Sequence, residues 1–146
     1  MKIKDINLEF LGHSGFVIEY QNKRIAIDPY NISENIEKAD VILISHSHHD
    51  HCSIKDIEKL SKNGTLIIIP ADAQSKINKI NDVEMQVVSP EEEIMLFEKI
   101  KIKTIPAYNI NKKFHPKSEG WFGFVIKLEN TIIYHSGDSD NIPEMH

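Results

Sequence analysis

Four of the chain's eight histidines fall within six positions, 46–51, in the run His-Ser-His-His-Asp-His. No other feature narrows the possible folds as much. The preceding Val41-Ile42-Leu43-Ile44-Ser45 is short, apolar and rich in β-branched residues, the pattern of a strand buried on both faces. The following Ser53-Ile54-Lys55-Asp56 reads as a helix start, with Ser53 as N-cap and Asp56 at the third helical position. The cluster is therefore expected at the carboxyl edge of a sheet, where ligand sites collect in α/β folds.

The spacing suits a metal. His46 and His48 stand two apart, so an extended backbone points both imidazoles to one side. Asp50 and His51 follow on the turn into the helix and can face a second point nearby. Imidazole with carboxylate is a borderline-soft donor set that fits zinc, and also manganese or iron. One short loop of interleaved ligands can serve two ions roughly 3.5–4 Å apart. The plainer reading is a surface histidine tract that binds metal incidentally. Histidines desolvated at a strand end beside an aspartate would be costly without a metal or a network to satisfy them, which favours a built site.

The rest of the chain reads as a mixed α/β (α+β) protein of one domain over residues 1–146, without repeats or linkers. Strands are expected over 6–11, 16–20 and 24–28, with a hairpin loop at Gln21-Asn22-Lys23. A helix should run from Ser53 to about Lys62 and stop at Asn63-Gly64. After a strand over 66–69, a second helix is expected from Pro70 through about Ile80. Further strands are expected over 85–89, 93–97, 101–105, 121–128 and 131–134. Lys101 to Ile105 alternates, so one face there should meet solvent.

Net charge is −5, which offers no basic face for phosphate backbones, so no nucleic-acid partner is expected. The single cysteine, Cys52, excludes an intramolecular disulfide and fits a reducing compartment. Charges interrupt the apolar N-terminal residues, so neither a signal peptide nor a membrane span is expected, and the protein reads as cytoplasmic.

His46-Ser47-His48-His49-Asp50-His51 resembles the H-x-H-x-D-H signature of the metallo-β-lactamase superfamily. Gly12-His13-Ser14-Gly15, Ile27-Asp28-Pro29-Tyr30 and Tyr134-His135-Ser136-Gly137-Asp138 resemble further segments of that superfamily, in its order. The nearest branch resembles the ascorbate-6-phosphate lactonase-like hydrolases, with Pro106-Ala107-Tyr108-Asn109, Phe114-His115-Pro116-Lys117 and Gly120-Trp121 similar to one subgroup. The resemblance implies the αβ/βα sandwich of the superfamily, largely its N-terminal part. It implies a metal-dependent hydrolase acting on an ester, lactone or phosphodiester, with zinc most expected, one or two ions, and manganese or iron as substitutes. His46 and His48 would belong to a first ion, Asp50 and His51 to a second, and Asp138 would bridge. A metal-bridging hydroxide would be the nucleophile, with Asp50 orienting it and passing its proton to the leaving group.

Two departures stand out. The superfamily's third histidine for the first ion is matched by Asn109, and His115 in the following loop is the alternative. Its late histidine for the second ion has no counterpart, because the chain ends at His146 soon after Asp138. The chain thus reads as shortened at its C-terminus, with weak second-ion binding and a tendency to homo-oligomerise. The substrate is expected to be a small molecule. Lys112, Lys113 and Lys117 favour an anionic one, or form a solvated loop. A nuclease of the same superfamily, or a non-catalytic metal-binding chain completed by a partner, are the competing functions.

Other residues carry two readings each. His13 either orients a metal ligand or hydrogen-bonds the backbone. Asp28 is expected to support a metal-binding histidine rather than cap a turn. His49 should be exposed, and His135 should pack structurally. Cys52 should be buried and inert, Trp121 and Phe122 should belong to the core, and Glu91-Glu92-Glu93 should be solvated.

Overall fold

The computed structural model describes residues 1–110, 117–139 and 142–145. The chain resolves into two compact units, Met1–Val87 and Val88–His146.

The first unit is built on a seven-stranded sheet whose strands lie in chain order. They are β1 (Lys2–Ile3), β2 (Ile6–Gly12), β3 (Gly15–Tyr20), β4 (Lys23–Ile27), β5 (Val41–Leu43), β6 (Leu66–Ile69) and β7 (Glu84–Val87). From β1 to β4 the pairing is antiparallel, and from β4 to β7 it is parallel. The change follows from the connections. β3 and β4 are joined by Gln21-Asn22, both at positive φ (48° and 64°), the turn geometry that matches the twist of a hairpin. Beyond Ile27 the connections are long enough for parallel crossovers.

Helix α1 (Ile54–Leu60) begins as its sequence indicates, with the Ser53 hydroxyl accepting from the Asp56 N–H. The Asp56 carboxylate does more than close that cap. It accepts hydrogen bonds from the N–H groups of Asn31 (2.9 Å) and Ile32 (3.1 Å), tying the loop after β4 to the helix. The helix stops just short of Lys62, where the Ser61 hydroxyl donates back to the Ile57 carbonyl.

The helix expected from Pro70 to about Ile80 is much shorter. A 3-10 turn (Ala71–Ala73) leads into a single α-turn, α2 (Gln74–Ile77), and i→i+3 bonds continue at Lys79 and Ile80. Ala73, Ile77 and Ile80 are buried all the same. The apolar spacing was sufficient to seat one face on the core. No side chain caps the segment's start, so backbone bonding tightened. The core between sheet and helices holds Val17, Ile42, Ile44, Ile57, Ile67 and Ile69, all fully buried. Each contributes roughly 1.5–3 kcal/mol by leaving water.

The second unit is a four-stranded antiparallel sheet in the order β11-β10-β9-β8. Its strands are β8 (Glu93–Leu96), β9 (Ile100–Pro106), β10 (Phe122–Leu128) and β11 (Thr131–His135). Along β9, Ile100, Ile102 and Thr104 are buried while Lys101 and Lys103 are exposed, the alternation expected of a half-solvated strand. Trp121 lies just outside β10, and it and Phe122 are core residues. Glu91, Glu92 and Glu93 are exposed.

Gly123 in β10 has no signal in the sequence but decides a local approach. A Cβ there would run into the His135 carbonyl oxygen and lie 2.8 Å from the Ser136 carbonyl carbon. Only a glycine lets the chain pass this closely into Gly137-Asp138. Gly123→Ala is expected to destabilise this unit by about 3 kcal/mol, since added volume in a packed backbone forces it to shift. A urea titration followed by the fluorescence of Trp121 would show a lower midpoint. An unchanged midpoint would mean that the 135–136 segment yields freely.

Candidate metal centre

The histidine cluster begins where β5 ends. Ile44 still donates its N–H to Ile68, and the chain then leaves the sheet with Ser45 and His46 fully buried. The N–H groups of His51 (2.9 Å) and Cys52 (2.7 Å) both return to the His48 carbonyl. That tight turn folds His51 back beside His46, with ring centroids 4.0 Å apart. His46 and His48 rings stand 5.0 Å apart. The loop is clamped from outside by the α2 segment, where Asp72 accepts from the Ser47 hydroxyl (2.7 Å) and Lys76 donates to the Ser47 carbonyl. His49 is exposed, its ring edge-on to Tyr30.

One buried carboxylate organises the inner side. Asp28 leaves β4 at φ 44° and is inaccessible to solvent. Its oxygens accept from the Ser45 N–H (2.8 Å), the Ser45 hydroxyl (2.6 Å) and Nδ1 of His51 (2.8 Å). The Ser45 hydroxyl also lies 2.8 Å from Nδ1 of His46. With its proton on Asp28, that hydroxyl is the acceptor and His46 Nδ1–H the donor. Both rings thus use Nδ1 for support, which makes the buried Nε2 atoms the ring nitrogens that could serve as donors to a metal. Asp28 is therefore in contact with a histidine of the cluster, as its place before Pro29 indicates. Ser45 as a link, and Asp72 and Lys76 as clamps, come from the structure and not from the sequence reading. Ser45 adjoins His46 in sequence, but Asp72 and Lys76 carry no signal there.

On the outer side, Asp50 Oδ2 lies 2.9 Å from Nε2 of His13 and 3.7 Å from Nε2 of His51. Burial works to raise the Asp50 carboxyl. The hydrogen bond from His13 and the charge of His51 outweigh it and hold Asp50 below the ordinary carboxylate range. Burial pushes the Cys52 thiol up to about 11, so it stays protonated and inert.

Among the described residues three donor sets result, each with ligand atoms within 4.8 Å of one another: His46, His48 and Asp50; His13, Asp50 and His51; and Asp28, His46 and His51. Asp28 is committed to its hydrogen bonds, which leaves the first two as the sets open to an ion. Imidazole nitrogens with one carboxylate fit a borderline-soft divalent metal. A model of the beta-lactamase superfamily domain matches residues 7–146.

The chain belongs to the beta-lactamase superfamily.

Among its relatives are proteins named UPF0173 metal-dependent hydrolase. That of Nanoarchaeum equitans is 33% identical over 92% of this chain and 60% of its own length. That of Caldivirga maquilingensis is 28% identical over 94% of this chain and 62% of its own. The chain thus spans about three-fifths of the length of these curated relatives. A crystal structure from Parabacteroides distasonis matches with a TM-score of 0.87 at 29% identity, covering 96% of this chain and 64% of that one. Igni18, a metallo hydrolase from Ignicoccus hospitalis, shares the fold, with a TM-score of 0.72 at 20% identity over 96% of this chain and 64% of its own. The architecture is that of the metallo-β-lactamase fold, mixed α+β with few helices.

The remaining superfamily positions fall in the second unit. Asp138 lines a hollow of about 300 Å³ with Asn109, Gly137 and Ser139. Ser139 is pinned to the exit of β9, its hydroxyl 3.2 Å from both the N–H and the carbonyl of Tyr108. His135, the last residue of β11, accepts from the Gly137 N–H (3.2 Å). Lys117 pairs with Glu144 (2.6 Å), which also accepts from the Tyr108 hydroxyl (2.8 Å). Lys117 and then Tyr108 pull the Glu144 carboxyl down to about 2. His115, Lys112, Lys113 and His146 lie outside the described residues.

Proposed function

We propose that the protein is a metal-dependent hydrolase whose ions are held by His46, His48, Asp50 and His51, with zinc preferred and manganese or iron as substitutes. The observation that carries this reading is the donor arrangement. Two sets open to an ion share Asp50, and the histidines beside it are fixed through Nδ1 on Ser45 and Asp28. A bound ion of this kind supplies a Lewis acid and a water acidified toward neutrality.

The chain's own groups do the rest. Ser45 and Asp28 hold His46 and His51 in the tautomer that presents Nε2. Asp50, held below the ordinary carboxylate range and so ionised, would position the attacking water and hand its proton to the leaving group. The bridging role of Asp138 rests on the Gly137-Asp138 motif alone. The substrate we propose is a small, anionic ester, lactone or phosphodiester, in line with the ascorbate-6-phosphate lactonase-like segments. Nucleic acid and membrane are not expected as partners, and a homo-oligomer is. No helix among the described residues is long and apolar enough to cross a membrane. A cytoplasmic location is proposed from Cys52, a single buried cysteine.

The test is turnover of p-nitrophenyl acetate, a simple lactone and bis(p-nitrophenyl) phosphate by zinc- or manganese-loaded protein. Hydrolysis of at least one is expected, falling about tenfold or more on chelation and returning with metal. Bound metal without turnover of any of the three would overturn the hydrolase reading and leave a metal-binding chain.

A further inference from the structure

The turn between β2 and β3 carries a residue that sequence spacing does not connect with the cluster. His13 sits in Gly12-His13-Ser14-Gly15, thirty-seven positions before Asp50. A register shift between Phe10 and Gly12 sets this turn off from the hairpin ladder. Gly12 at φ 100° and His13 at φ 53° then curl it. Histidine is among the residues that tolerate this left-handed region. Gly15 keeps the turn close to the end of β4: a Cβ there would lie 3.2 Å from the Asp28 carbonyl.

The result is a convergence of three donors from two distant segments. His13 Nε2 is 2.9 Å from Asp50 Oδ2, that oxygen is 3.7 Å from His51 Nε2, and the His13 and His51 rings are 5.5 Å apart. The three ligand atoms fall within 4.8 Å of one another. His51 is already anchored through Nδ1 on Asp28, so its Nε2 is aimed at this point by a buried support. The His13 and Asp50 side chains are 46% and 30% exposed, so the set opens toward solvent on one side. Two imidazoles and one carboxylate with an open side are the protein contribution to a catalytic zinc site, which keeps a fourth position for water or substrate.

We propose that His13 is a ligand of a second ion, completing a site with Asp50 and His51. The inference rests on the reading that the 46–51 cluster binds metal. With an ion present, His13 Nε2 exchanges its hydrogen bond to Asp50 for coordination, and the two groups become joint ligands.

The experiment is cadmium NMR on protein labelled at the histidine ring nitrogens, in which every coordinated nitrogen splits the metal signal. It is run with a calorimetric zinc titration of the metal-free chain. His13→Asn is the variant, because asparagine also accepts the left-handed turn. The expected result is a His13 coupling in the parent that disappears in His13→Asn. One ion should then bind at least about tenfold more weakly while the other keeps its affinity. A parent in which no bound ion couples to His13 overturns the proposal. So does weaker binding with the histidine couplings of the parent unchanged, because His13 then acts only by holding Asp50. A parent that binds no cadmium or zinc, or that keeps its full metal stoichiometry in His46→Ala with His48→Ala, is a failure of the underlying metal-site reading instead.

Discussion

Replacing His46 and His48 together by alanine should remove one equivalent of metal, weakening its binding by more than about a hundredfold. Both rings belong to one donor set with Asp50, and their centroids are 5.0 Å apart. Removing both leaves a single carboxylate there, too little to compete with water for a zinc-type ion. The measurement is elemental analysis after gel filtration of metal-loaded parent and variant. His46 is buried against Ser45 and His51, so its loss also leaves a cavity. The single variant His48→Ala separates the two effects, because His48 is only half-buried. It should lose most of the affinity and keep the parent's thermal melt. Full stoichiometry in the double variant would show that the ions are held elsewhere.

Asp50→Ala should cost far more in rate than in substrate affinity. The carboxylate is ionised and shared by both donor sets open to an ion. In the proposed reaction it interacts with the attacking water and the leaving group, interactions that matter only as the bond breaks. Losing a positioned acid–base group lowers kcat by about 10²–10⁴-fold, while KM moves little. Metal content must be measured alongside, because Asp50 also belongs to the donor sets. Asp50→Asn keeps the shape and one oxygen donor but cannot carry the proton, so it should retain more metal than Asp50→Ala and remain as slow. Turnover equal to the parent in either variant, with metal bound, would exclude the role.

Much of this architecture follows from local patterns. The hairpin at Gln21-Asn22, the apolar run leading to the cluster, the Ser53 cap and the alternation in β9 each depend on a few neighbouring residues. Turn chemistry, side-chain period and capping act over such distances, so a single sequence displays them. The position of His46–His51 at the end of a buried strand was legible for the same reason. The segment after Pro70 was less so. Its apolar spacing matches the observed burial of Ala73, Ile77 and Ile80, but the uncapped backbone settled into tighter turns than spacing alone can reveal.

What the amino-acid order determined by itself was therefore the donor chemistry of the cluster and the strand that delivers it. Tertiary structure decided which residues serve that cluster. Asp28 reaches His51 across twenty-three positions, Asp72 reaches Ser47 across twenty-five, and His13 reaches Asp50 across thirty-seven. Gly123 matters only because the backbone at His135 and Ser136 passes over it. Each of these contacts depends on where the sheet brings separate segments together. No local periodicity encodes such a meeting, because it is set by strand pairing and packing of the chain as a whole.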